Sequence, residues 1–139
     1  MHKALLLLSC GLFAGCTNVV SDRVQYLHPN QAEGYHSTRV FELAREHLAG
    51  NGYHCELDGV HFASCAKITR DSSLHSTRVI IRLEREHDEG NSVLLLASRW
   101  DEGLIPSEFI SNRFESEDLA RLCQHLASRH IATCKETPS

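Results

Sequence analysis

Thr77-Arg78-Val79-Ile80-Ile81-Arg82-Leu83-Glu84-Arg85-Glu86 is the stretch on which the fold turns. Val79, Ile81 and Leu83 fall on one side of an extended chain, and Arg78, Arg82 and Glu84 fall on the other. That period of two is the mark of a strand with one face in a core. The turn residues Asp88-Glu89-Gly90-Asn91 follow, and then Val93 to Trp100, so the two segments read as a hairpin. Within the second segment, Val93-Leu94-Leu95-Leu96-Ala97 is apolar at every position, which predicts a central strand covered on both sides.

Working outward, Tyr53–Leu57 and Val60–Thr69 flank an Asp58-Gly59 turn signal and read as a second hairpin, ended by Asp71-Ser72-Ser73. Before it, Ser37 is placed to cap a helix running to Ala49. Val40, Leu43, Ala44, His47 and Leu48 share one face of that helix, and Gly50-Asn51-Gly52 stops it. After the second hairpin, Ser116 caps a helix whose first turn carries Glu117 and Asp118, favourable at the positive end of the dipole. Its apolar stripe is Leu119, Leu122, Cys123, Leu126 and His130. The expected fold is α+β, a small antiparallel sheet of about four strands packed with an N-terminal and a C-terminal helix.

One similarity crosses this plan. His36-Ser37-Thr38-Arg39-Val40 recurs as His75-Ser76-Thr77-Arg78-Val79, and weaker matches continue over 36–51 and 75–91. A tandem duplication accounts for it, and so does coincidence. The first copy has helical spacing, whereas Val79-Ile80-Ile81 is β-branched and favours a strand.

The whole chain has 139 residues, 42% hydrophobic and 23% charged, which is ordinary globular composition with room for one domain. A net charge of −4, with both signs interspersed, argues against nucleic acid as a partner. The ten histidines are scattered, with no metal-binding tract.

The chain opens with the weakly basic Met1-His2-Lys3 and an apolar run from Ala4 to Phe13. As a helix that run is only about 15 Å long, half of a bilayer core, so it suits a signal peptide rather than a span. Leu12-Phe13-Ala14-Gly15-Cys16 resembles the lipobox of bacterial lipoproteins, with Phe13 standing where leucine is usual. Leu7-Leu8-Ser9-Cys10 has the same form but leaves too short an apolar region ahead of it. The resemblance implies removal of residues 1–15, diacylation of the Cys16 sulfur and acylation of its new amino group. Thr17 is not the aspartate of inner-membrane retention, so the implied address is the outer membrane, facing the periplasm. The alternative is a secreted protein cut near Ala14 with Cys16 as a plain thiol, but that leaves five cysteines. An even four, Cys55, Cys65, Cys123 and Cys134, suits an oxidising compartment better.

Residues 16–36 contain Pro29 and Gly34 and show no sustained period. They read as a lipidated tether with a reach of roughly 25 Å, ahead of a domain over 37–139. Three disulfide pairings are open, and the local one, Cys55–Cys65 with Cys123–Cys134, is the expectation. It requires a loop such as Gly59-Val60-His61, which sets Cys55 opposite Cys65. It also requires a second helix that ends before Ile131, because eleven helical residues separate α-carbons by about 16 Å. Zinc is the weaker reading of these cysteines, since their spacing is far from that of zinc ligands.

His54, Glu56, Asp58 and His61 offer nitrogen and oxygen ligands on the first hairpin, against the simpler reading of a solvated polar face. His36-Ser37 with Arg39 could hold an anion, although a plain helix cap explains it as well. His125 and His130 do not align on one helical face. Hydrolase, metalloprotease and phosphate-loop motifs are missing, so neither catalysis nor a cofactor is expected. Leu104, Ile105, Phe109, Ile110 and Phe114 form the most apolar loop, a lid over the sheet or a partner-docking patch. The functional expectation is a lipid-anchored envelope protein that binds another protein or serves an assembly. The alternative is a periplasmic metal-binding or pH-responsive module using its histidines.

Overall fold

The computed structural model describes residues 16–85, 91–104 and 111–138. The proposed signal segment, part of the Asp88–Asn91 turn, and Ile105, Phe109 and Ile110 lie outside them.

The fold is α+β, with seven strands in one antiparallel sheet and two helices. Strands β1 (Cys16–Ser21) and β2 (Gln25–Pro29) come first, then a short 3-10 turn and helix α1 (Ser37–Gly50). Strands β3 (His54–Asp58), β4 (Phe62–Asp71), β5 (His75–Arg85) and β6 (Val93–Gly103) follow. Helix α2 (Glu117–Ser128) and strand β7 (Ala132–Lys135) close the chain. The sheet order is β3-β4-β5-β6-β2-β7, with β1 also on β6.

The hairpin that opened the reading is the middle of this sheet. Strand β5 pairs with β6 in unbroken register from His75↔Gly103 to Arg85↔Val93. Val79, Ile81, Leu83, Val93, Leu95 and Ala97 are buried and meet Val40, Phe41, Ala44 and Leu48 of α1 and Leu119, Leu122 and Leu126 of α2. Both helices therefore cover one face. The other side of the apolar run does not share that cover: Leu94 and Leu96 are only half-buried, a correction to the expected two-sided core.

The expected tether is a second correction. Cys16–Ser21 lies along Ser98–Gly103, and Gln25–Leu27 lies along Val93–Leu95, so the two strands are one ribbon broken at Asp22–Val24. The Asp22 amide still donates to the Ala97 carbonyl (2.9 Å) across the break. The other edge of β2 carries β7. Strands β1, β2 and β7 run six, five and four residues, too short to show a period, and long-range pairing holds them, β1 and β2 on β6 and β7 on β2. Leu27 of β2 and Ala132 of β7 are buried.

Both disulfides are the local ones. The β3–β4 loop is Gly59-Val60-His61, and Cys55 stands directly opposite Cys65. Helix α2 stops at Ser128, His130 takes a left-handed backbone (φ 57°), and β7 brings Cys134 to a Cα distance of 5.6 Å from Cys123. His130 thus lies past the helix and off its apolar stripe. Each bond closes a short loop and stabilises the fold by roughly 2–3 kcal/mol. Ser116 caps α2, accepting a hydrogen bond from the Leu119 amide (3.1 Å). At α1 the cap position is His36, without a side-chain cap bond, while the Ser37 amide donates to the Asn91 side chain (3.3 Å). The shared pentapeptide is therefore a helix start in one copy and a strand start in the other, so the similarity is no structural repeat.

If β2 is integral to the sheet, Leu27→Ala should cost about 3 kcal/mol in urea unfolding. A residue in a flexible tether would cost close to nothing, so an unchanged midpoint would contradict this architecture.

Candidate functional site

Strand pairing fixes which side chains share the face left by the helices, because residues directly opposite in an antiparallel sheet point the same way. One row is Ile68, Arg78, Trp100 and Val19; the next is His54, Ala66, Ile80, Ser98 and Ser21; a third is Glu56, Ser64, Arg82 and Leu96. Apolar and charged groups alternate across it. The Arg78 guanidinium lies over the Trp100 ring at 5.3 Å and pairs with Glu102 at 3.2 Å. Arg82 lies over Phe62 at 5.2 Å. Between His54, Ile68, Arg78 and Trp100 runs a shallow depression of about 270 Å³. Tryptophan and arginine on a half-buried apolar ground are the side chains that anchor protein interfaces. The face thus presents cationic and aromatic groups side by side on an apolar ground.

The helix-covered side changes character along β6. After Ala97 the inward positions become Arg99 and Asp101. Asp101 is 4% exposed and accepts three hydrogen bonds: from Thr77 Oγ1 (2.8 Å), Arg99 Nε (2.8 Å) and His75 Nε2 (3.2 Å). Because a carboxylate only accepts, the His75 ring carries its proton on Nε2. Burial alone would raise the Asp101 carboxyl, but these bonds and the Arg99 charge outweigh it and hold the group below the ordinary carboxylate range. Arg99 also reaches the carbonyls of Ser111 and Arg113 and lies over Phe114 at 5.7 Å. The cluster therefore fastens the segment leading into α2 onto the sheet. With its acceptors engaged and its pKa lowered, Asp101 makes a poor base. It is a clamp.

A second polar group sits where the helices meet. The rings of His47 and His125 lie 4.5 Å apart. Burial, then the neighbouring His125 charge, lowers the His47 pKa against a smaller opposing pull from Asp118. The Tyr53 hydroxyl donates to Asp118 (2.7 Å) and Lys67 approaches the same carboxylate at 3.6 Å. Burial and that bond push the Tyr53 phenol well above its usual value.

The residues singled out from sequence are dispersed. Cys16 begins β1, opposite Gly103. His54, Glu56 and Asp58 alternate along β3, all exposed. Polar and charged groups there keep an edge strand from recruiting other chains. His61 does not join them; its ring accepts from Arg85, at 2.9 Å from Nε. Among the described residues, no group of three or more His, Cys, Asp or Glu converges as a metal site. Leu104 is 66% exposed, while Phe114 is half-buried against the core. Arg39 pairs with Glu42 at 3.3 Å, and Ser37 is held by Asn91, so no anion cradle forms between them. Among the described residues, no helix is long and apolar enough to cross a membrane. No family model, curated protein or solved structure matches the chain.

The Asp101 clamp missed by the sequence reading did leave a signal. Following the alternation of β6 past Trp100 puts two opposite charges on the core side, which a buried strand tolerates only when they are paired.

Asp101→Asn should cost about 3 kcal/mol, since it leaves Arg99 facing a neutral partner. The lowered folded-state pKa contributes stability that is present above the ordinary carboxylate range and lost as pH falls through it. The variant should therefore unfold with a flatter acid limb, and a limb as steep as the parent's would refute the clamp.

Proposed function

We propose that this chain is a lipid-anchored protein of a bacterial cell envelope, held by acyl groups on Cys16. It faces the periplasm from the outer membrane and acts without catalysis, as a protein-binding or assembly-accessory module. The docking surface is the open face of the sheet around Arg78, Arg82 and Trp100. The observation that carries this reading is that face: half-buried leucines and two arginine–aromatic pairs displayed on a stapled scaffold. The two disulfides suit the oxidising compartment that the lipobox resemblance implies. Leu104 lies exposed at the end of the sheet beside this face, Phe114 packs against the core on the other side, and Ile105, Phe109 and Ile110 belong to the same apolar segment of sequence.

A photoreactive residue in place of Arg82, on the open face, should give one discrete protein adduct in intact cells. The same group in place of Glu46, on the exposed side of α1, should give none, and Trp100→Ala should abolish the first adduct. Equal labelling at both positions, or adducts indifferent to Trp100, would defeat the docking face. Mass spectrometry of the mature amino terminus tests the anchor.

The His47–His125 contact favours a second reading, a pH-responsive module. With the folded pKa of His47 held below 6.5, the unfolded chain takes up the proton first. Stability is then complete above 6.5 and falls as pH drops through that value. Melting at neutral pH and at pH about 5.5 should show a smaller drop for His47→Gln than for the parent. Equal drops would discard the switch.

A further inference from the structure

The end of the sheet where β1 begins has a composition of its own. Cys16 stands opposite Gly103, and Gly103 opposite His75, so the start of β1, the end of β6 and the start of β5 form one row. With strands about 4.8 Å apart, the Cys16 backbone lies roughly 10 Å from that of His75. Just beyond the row, the Leu104 amide donates to the Leu74 carbonyl (3.0 Å), and both side chains project outward, 66% and 61% exposed. Ile68 (64%) and Val19 (45%) continue the apolar surface up the open face.

This tip is rigid. Ser72 and His75 hold the turn through three hydrogen bonds: Ser72 amide to His75 carbonyl (2.9 Å), Ser72 hydroxyl to the same carbonyl (2.8 Å), and His75 amide to Ser72 Oγ (3.0 Å). Directly behind, the His75 ring is fixed by Asp101. Gly103 has φ +150°, and a Cβ there would lie 2.2 Å from the Leu74 carbonyl oxygen, so only glycine lets the two leucine-bearing segments close on each other.

We propose that Leu74 and Leu104 rest in the surface of the bilayer that holds Cys16. This rests on the lipoprotein reading above and adds an orientation to it. A lipidated residue at the first position of a paired strand has no slack, so the sheet end beside it is carried to the lipid surface. Two exposed leucines are the side chains that such a surface accepts. The acyl chains supply the affinity and the leucines fix the pose. The strands then rise from the membrane, and the docking face looks sideways along it.

The test uses the full acylated protein in vesicles of phosphatidylethanolamine and phosphatidylglycerol. A Leu104→Trp probe is placed in a Trp100→Phe background, and Val60→Trp in the same background reports on the opposite end of the sheet. Lipids brominated near the headgroup should quench the Leu104→Trp probe at least about twofold more than the Val60→Trp probe, with aqueous acrylamide showing the reverse order. Leu74→Trp gives the same reading should the first variant not fold. Equal quenching at both ends in protein shown by mass spectrometry to be acylated overturns the membrane contact alone. An unacylated amino terminus overturns the lipoprotein reading and this inference with it.

Discussion

Strand β6 is the element on which the rest depends, because it is paired along both edges. Strand β5 takes one edge over eleven residues, and the broken ribbon of β1 and β2 takes the other. Its alternation sets the two faces of the molecule. Val93, Leu95 and Ala97 anchor the core under the helices; Arg99 and Asp101 then turn the same face into an ion-paired clamp. Leu94, Leu96 and Trp100 point the other way and define the displayed surface. The disulfides lie at the margins of this arrangement, one across β3–β4 and one joining α2 to β7. They secure elements that do not pair with β6.

The two polar clusters on the helix side differ in what protonation can do to them. Asp101 is surrounded by donors and a fixed positive charge, so its charge persists through the ordinary pH range. His47 lies against His125, and burial together with that neighbour lowers the His47 pKa. One cluster holds parts together, while the other lies where α1 and α2 meet.

What the sequence made legible was local. Helical stripes in α1 and α2, the β5 alternation and the Ser116 cap follow from side-chain periodicity, which a single segment carries in itself. The cysteine pairing was not fixed by the sequence, which left three pairings open; the local pairs form, and the loop and the early helix end they require are both present. The N-terminal strands and β7 were not, because Thr17–Ser21 or Ala132–Lys135 alone has no preference strong enough to show, and distant backbone supplies the partner. The pentapeptide His-Ser-Thr-Arg-Val makes the same point: neighbours such as Phe41 and Ala44 draw one copy into α1, while Ile80 and Ile81 draw the other into β5. The open face of the sheet was not legible: the run 93–97 was expected to be covered on both sides, and its exposure depended on both helices choosing the same side.

Strand β2 lies between β6 and β7, so residues from near the start of the domain wait for residues at its very end. Leu27 pairs with Cys134 on one side and Val93 on the other. Such long sequence separation between paired strands slows their formation. A truncated or stalled chain would present the uncapped edge of β2 to solvent, open to strand addition by another molecule. Strand β7 thus covers an edge of β2 that backbone hydrogen bonding would otherwise leave unsatisfied.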